Sequence, residues 1–287
     1  MTSTLSHRLE TYSRGIDATK LNTVDVWTPD TPGGIAESKL WVIYIHGGAW
    51  RDPEVDSKSF APAINVLWSS SSRDSFAGFA SINYSLSPYP SHKTIPSTPD
   101  DASRNVHHAR HVTDVAHGLH YLQDRYKIHN RYILVGHSAG ATMAFQLYQG
   151  LFSETPLPQP ISVLGIAGIY YFEAFVEAHS SIPVYKEIMD NAFPDQTLWR
   201  EASPYSSRPG KETLWEHAEV IVISRSEDDE LVEKEQASLM LERARSIPHA
   251  PEKVFFLQAS GLHDEIWSSG DILASLVVKT LSLHKTS

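Results

Sequence analysis

The pentapeptide Gly136-His137-Ser138-Ala139-Gly140 narrows the possible folds of this chain more than any other feature, because it sits between a short apolar run and a helix-like segment. Residues 132–135 read as a buried strand, and the composition after Ser138 is helical as far as Tyr148. A G-x-S-x-G turn in that position holds its serine in a strained backbone conformation, and small neighbours permit the sharp bend that lifts the hydroxyl above the sheet edge. The helix behind it aims N–H groups and a partial positive charge at the same point. Ser138 is the candidate nucleophile, and the amide of Ala139 is a candidate oxyanion donor.

Short apolar runs alternate with helix-like segments along the chain, which predicts an α/β fold: a mainly parallel sheet covered by helices on both faces. Strands are expected over 22–28, 39–45, 79–84, 132–135, 161–169, 220–224 and 254–257, with a turn over 29–34. Val112, Val115, Leu119 and Leu122 recur at intervals of three and four, the buried stripe of a helix ending near Tyr126. Further helices are expected over 232–245 and 272–283. Residues 170–215 depart from the alternation and carry many aromatics, so they read as a small cap inserted into a single domain spanning 1–287.

Composition removes several function classes. A net charge of −10 repels phosphate backbones, so no nucleic-acid partner is expected. The absence of cysteine excludes a thiolate nucleophile, a disulfide framework and Cys-ligated metal. The first 20 residues lack the apolar run of a signal peptide, and no stretch has the roughly 20 apolar residues that span a bilayer. The expectation is a cytoplasmic protein with no membrane partner; a homodimer is left open.

A serine hydroxyl is a weak nucleophile until a base takes its proton, and the base must be oriented by a carboxylate. His263 follows the last expected strand, and Asp228 and Asp229 follow the one before it. Asp229 is favoured because Leu231 and Val232 can anchor the next helix while Glu227 and Asp228 occupy the turn; Asp228 stays open as the alternative. Upstream, His46-Gly47-Gly48-Ala49-Trp50 closes the 39–45 strand. Without side chains, Gly47 and Gly48 let the main chain approach a reacting carbonyl and offer more oxyanion donors, while His46 reads as a brace for the loop. His107, His108, His111, His117 and His120 invite a metal hypothesis, but the segment has no H-E-x-x-H motif and its buried stripe is already apolar. No metal is expected.

Together these parts resemble the α/β-hydrolase superfamily, and the stretch from His46 to Trp50 resembles the HGGxW signature of the kynurenine formamidase (arylformamidase) family. Asn83-Tyr84-Ser85-Leu86-Ser87-Pro88 is similar to the family's segment after the third main strand. Gly136 to Gly140, Asp229-Glu230-Leu231 and Gly261-Leu262-His263 then fall in the family's order. The resemblance covers nearly the whole chain. It implies the α/β-hydrolase fold and hydrolysis of N-formyl-L-kynurenine to L-kynurenine and formate. It also implies Ser138, Asp229 and His263 as catalytic residues, with neither metal nor cofactor.

Two departures stand out. Ala49 occupies the place where lipase-like esterases more often carry a third glycine, and Gly168-Ile169-Tyr170 continues with Tyr171-Phe172 where related esterases often have an aspartate. A small aromatic formamide needs a narrow acyl side and a broad apolar leaving-group pocket. Trp50, Tyr170 and Tyr171 are the expected contacts, with Phe172 and Phe175 as further candidates. Rival readings are a general carboxylesterase or carbamate hydrolase with the same residues, and a noncatalytic small-molecule receptor on the same scaffold.

Overall fold

The computed structural model describes residues 4–13, 16–30, 38–151, 155–206, 212–248 and 252–284. Among them, eight strands form one sheet: β1 (Leu5–Thr11), β2 (Thr23–Pro29), β3 (Leu40–Ile45), β4 (Phe76–Ile82), β5 (Tyr132–His137), β6 (Ser162–Ile166), β7 (Val220–Ser226) and β8 (Val254–Ala259). Their spatial order is β1-β2-β4-β3-β5-β6-β7-β8. The strands from β4 to β8 in that order run parallel, and β1 and β2 are antiparallel. The expected turn over 29–34 lies mostly outside the described residues.

The inner parallel strands are mainly apolar because both faces are covered, whereas the edge strand β8 alternates between partly buried and exposed residues. Val42, Tyr44, Ile133, Val135, Leu164, Ile166 and Val222 point into one core layer. Their neighbours Ile43, Ile45, Leu134, Val163, Ile221 and Ile223 point into the other. The first layer is closed by α1 (Ala61–Ser69), α8 (Glu265–Ser268) and α9 (Asp271–Leu283), all absent from the sequence reading except α9. On the second face lie α2 (Arg110–Tyr126), α3 (Ala139–Gln146) and α7 (Lys234–Arg245). The aromatic stretch after β6 forms α4 (Phe172–Ala178), α5 (Pro183–Ala192) and α6 (Trp199–Ala202).

The stripe on α2 behaves as its spacing predicts, with Val115, Leu119 and Leu122 fully buried. The strand ends are what position the site. Ile45 pairs with Gly136, Gly136 with Gly165, Ile166 with Ser224, and Ser226 with Ala259. The loops leaving β3, β5, β7 and β8 therefore emerge along one edge of the sheet, although more than 200 residues of chain lie between the first and the last.

No helix among the described residues is long and apolar enough to cross a membrane. Truncating the fully buried Leu119 to alanine is expected to cost about 2–5 kcal/mol of stability, from lost transfer energy and the remaining cavity. Urea unfolding of the variant and parent measures it, and a loss below about 1 kcal/mol would contradict this packing.

Candidate active site

Ser138 sits at the end of β5 with φ 53° and ψ −123°, a region that non-glycine residues occupy at a cost of about 1–3 kcal/mol. Main-chain bonds hold it there. The Ser138 N–H donates to the Ile166 carbonyl at 2.9 Å, and the Ser138 carbonyl accepts from the Ala141 N–H at 2.9 Å. Helix α3 comes so close to β3 that a Cβ on Gly140 would collide with the carbonyl oxygens of Ile45 and His46. Ala139 begins the helix, where N–H groups have no intrahelical acceptor.

The loop after β3 lies against that turn. A Cβ placed on Gly47 would stand 3.1 Å from Ser138 Cβ, so the main chain there is in van der Waals range of the serine. Gly48, Ala49 and Trp50 then take positive φ in succession, at 87°, 49° and 58°. The Gly48 carbonyl closes the turn by accepting from the N–H groups of Arg51 at 2.9 Å and Asp52 at 2.8 Å.

The Tyr84 hydroxyl lies 2.7 Å from the Gly47 carbonyl oxygen and 3.1 Å from that of His46. The His46 ring stacks on Tyr84 at 4.3 Å, with Nδ1 3.0 Å from the Gly47 carbonyl. Tying these carbonyls back leaves the loop's amides as the groups that can face the serine. Tyr84 is a supporting residue that sequence reasoning did not assign. Its only signal was membership of the segment 83–88.

His263 follows β8 and Asp229 follows β7. The His263 Nδ1 lies 3.0 Å and 2.9 Å from the two carboxylate oxygens of Asp229, and both side chains are buried, at 5% and 2% exposed. Asp229 Oδ1 also accepts the N–H groups of Leu231 and Val232, each at 3.0 Å. Burial is the largest influence on this carboxyl and pushes its pKa up. The hydrogen bond and charge of His263, with those two amides, outweigh burial and hold it below the usual value. Asp228, the alternative, is exposed. Glu230 fixes the loop by accepting the His263 N–H at 2.9 Å.

Ser138 and His263 line the same cavity, of about 280 Å³. The alpha/beta hydrolase fold family matches residues 42–232. A kynurenine formamidase-like hydrolase of Fusarium equiseti is 34% identical over 278 residues, 94% of this chain and 93% of the relative. A kynurenine formamidase of Aspergillus versicolor is 32% identical, covering 87% of this chain and 91% of the relative. The chain belongs to the kynurenine formamidase family of α/β hydrolases.

Solved structures agree on the fold. Esterase B of Lactobacillus rhamnosis superposes with a TM-score of 0.67 at 15% identity, over 98% of this chain and 88% of that one. Carboxyl esterase 2 of Tuber melanosporum gives 0.66 at 14%, over 99% and 88%.

The three aromatic residues expected to contact the substrate lie away from the cavity wall. Trp50 and Tyr170 are fully buried and Tyr171 is partly exposed, and none of the three lines the cavity. Trp50 instead packs edge-on against Phe193 at 5.2 Å, Tyr170 against Phe145 at 5.4 Å, and Tyr171 leans on Tyr205 at 5.1 Å. Spacing alone does not separate a ring that faces a pocket from one that supports its wall. Phe175 does line the cavity, together with Tyr89, Tyr185, Val184 and Ile188; Phe172 packs on Phe193 behind it.

Within the histidine cluster, His111 Nε2 is 2.9 Å from Ser87 Oγ, and His107 Nδ1 is 2.6 Å from the Asn191 carbonyl. Those rings brace loops. Burial lowers the pKa of His46 to about 4, and lowers those of His111 and His137 well below the ordinary histidine value. In the unfolded chain these imidazoles take up protons below about pH 6.5, whereas the folded protein keeps them neutral to lower pH. Their contribution to stability is complete above about 6.5 and declines as pH falls below it, for His46 down to about 4. The loss grows as pH falls, because the unfolded chain binds protons there that the folded chain does not. Urea midpoints at pH 7.5 and 5 check this, and His46→Gln should flatten part of the slope.

Proposed function

We propose that this chain hydrolyses N-formyl-L-kynurenine to L-kynurenine and formate, with Ser138 as nucleophile, His263 as general base and acid, and Asp229 orienting the imidazole. The observation that carries the reading is the hydrogen-bonded Asp229–His263 pair opening onto the cavity of Ser138, in a chain that shares about a third of its residues with kynurenine formamidases along most of its length.

His263 Nε2 takes the Ser138 proton as Oγ attacks the formyl carbon. The carbonyl electrons move onto oxygen, where the amides of Gly47, Gly48 and Ala139 stabilise the charge. Collapse of the tetrahedral species breaks the C–N bond, and the imidazolium gives its proton to the departing aryl nitrogen. A water then attacks the formyl ester with the same histidine as base, releasing formate and restoring Ser138. Asp229 stays ionised throughout, consistent with its lowered pKa. The residues around 170–215 act in this reading as the cap that shields the ester from bulk water.

The measured reaction is kynurenine release, followed by its absorbance. Ser138→Ala is expected to lower kcat at least 1,000-fold, while unfolding at the parental urea midpoint. Asp229→Asn is expected to lose roughly 10,000-fold through the wrong imidazole tautomer, with Asp228→Asn close to the parent. Undiminished turnover by the Ser138 variant would end the assignment. A kcat/KM on p-nitrophenyl acetate far above that on the formamide would favour a general esterase.

A further inference from the structure

The wall of the active-site cavity formed by the loop after β3 carries two opposite charges, Arg51 and Asp52, that the hydrolytic steps do not use. We propose that this pair recognises the zwitterionic α-amino-acid end of the substrate, Arg51 taking the carboxylate and Asp52 the ammonium. The proposal rests on the formamidase reading above and adds the determinant of substrate choice.

Arg51 is a cation held almost out of solvent, with a side chain 4% exposed. A buried guanidinium needs compensation, and the protein supplies part of it. Nη1 donates to Glu187 Oε1 at 2.7 Å, and the guanidinium carbon lies 3.9 Å from the centre of the Tyr89 ring. Glu187 is the only residue among those described that receives a hydrogen bond from this side chain. A guanidinium has five N–H groups, so donors remain for a ligand carboxylate. The stacked ring and the Glu187 bond fix the plane of the fork in advance, which lowers the entropy lost on binding.

Asp52 lies one residue further along the cavity wall, its side chain 34% exposed. Oδ1 accepts the Glu54 N–H at 2.9 Å and stands 3.5 Å from His92 Nε2, so the carboxylate is oriented but open to a third partner. The turn that aligns the oxyanion amides also places both residues, because the Gly48 carbonyl accepts from the N–H groups of Arg51 and Asp52. In the same cavity, Phe175, Val184 and Ile188 give an apolar surface suited to an aryl ring. A ligand with an aryl formamide at one end and an ammonium carboxylate at the other matches these surfaces in kind.

The test compares substrates on the wild-type protein first. N-formylkynuramine lacks the carboxylate, and 4-(2-formamidophenyl)-4-oxobutanoate lacks the ammonium. Each is expected to show kcat/KM about 10- to 100-fold below N-formyl-L-kynurenine, the loss falling mainly on KM. In Arg51→Met the advantage of N-formyl-L-kynurenine over N-formylkynuramine should collapse to within a few-fold, and in Asp52→Asn the advantage over the oxobutanoate should do likewise. Equal wild-type efficiency on all three formamides overturns the proposal, as does a parallel fall on every substrate in both variants, which would mark a structural role. Failure of the wild type to cleave any of the three overturns the formamidase reading itself.

Discussion

The site depends on how closely helix α3 can approach the end of β3. With any side chain at Gly140, the helix would meet the carbonyls of Ile45 and His46 and be forced outward. At the observed separation, the end of β5 and the loop after β3 bring Gly47 into contact range of Ser138. In the proposed mechanism that proximity lets amides from two distant parts of the chain serve one developing oxygen, where preorganised donors act without the reorganisation that water would require. The same contact draws in strain, since Ser138, Ala49 and Trp50 all have positive φ. Main-chain bonds from Ser138, and the Tyr84 hydroxyl beneath the loop, offset that strain locally.

Much of this architecture was legible in the sequence because it rests on residue types with few alternatives. A serine between small residues at a strand–helix junction, and apolar residues spaced three and four apart on α2, each have one economical explanation. Strand β1 was not legible: most of its side chains face solvent at the sheet edge, so Leu5–Thr11 lacks an apolar signature. Helix α1 is short and starts with Ala61-Pro62 after a single turn of 3₁₀ helix, and its periodicity spans too few residues to register.

The site divides in the same way. The position of an acid after β7 follows from chain order, whereas the choice between Asp228 and Asp229 depends on which carboxylate turns inward. Leu231 and Val232 decide it by donating their N–H groups to Asp229. The aromatic residues Trp50, Tyr170 and Tyr171 show the opposite limit. Their types suit a pocket wall and a core equally, and burial against Phe193 and Phe145 places Trp50 and Tyr170 in the core. What lines the cavity instead is a charged pair next to the glycines and an apolar face from α4 and α5, combinations that no local pattern announces.

Charge at long and short range acts differently here. The chain carries a formal charge of −10, which at a distance disfavours anions. An α-amino acid derivative has no net charge at neutral pH, so this field neither repels nor gathers it, and at physiological salt the field fades within about 8 Å in any case. On the proposed reading, discrimination occurs after entry, through the charged groups that line the cavity. A lone arginine there would also admit simple carboxylates, and a lone aspartate simple amines. Opposite charges on one wall favour the ligand that carries both complementary groups, because each incomplete ligand forgoes one of the two contacts.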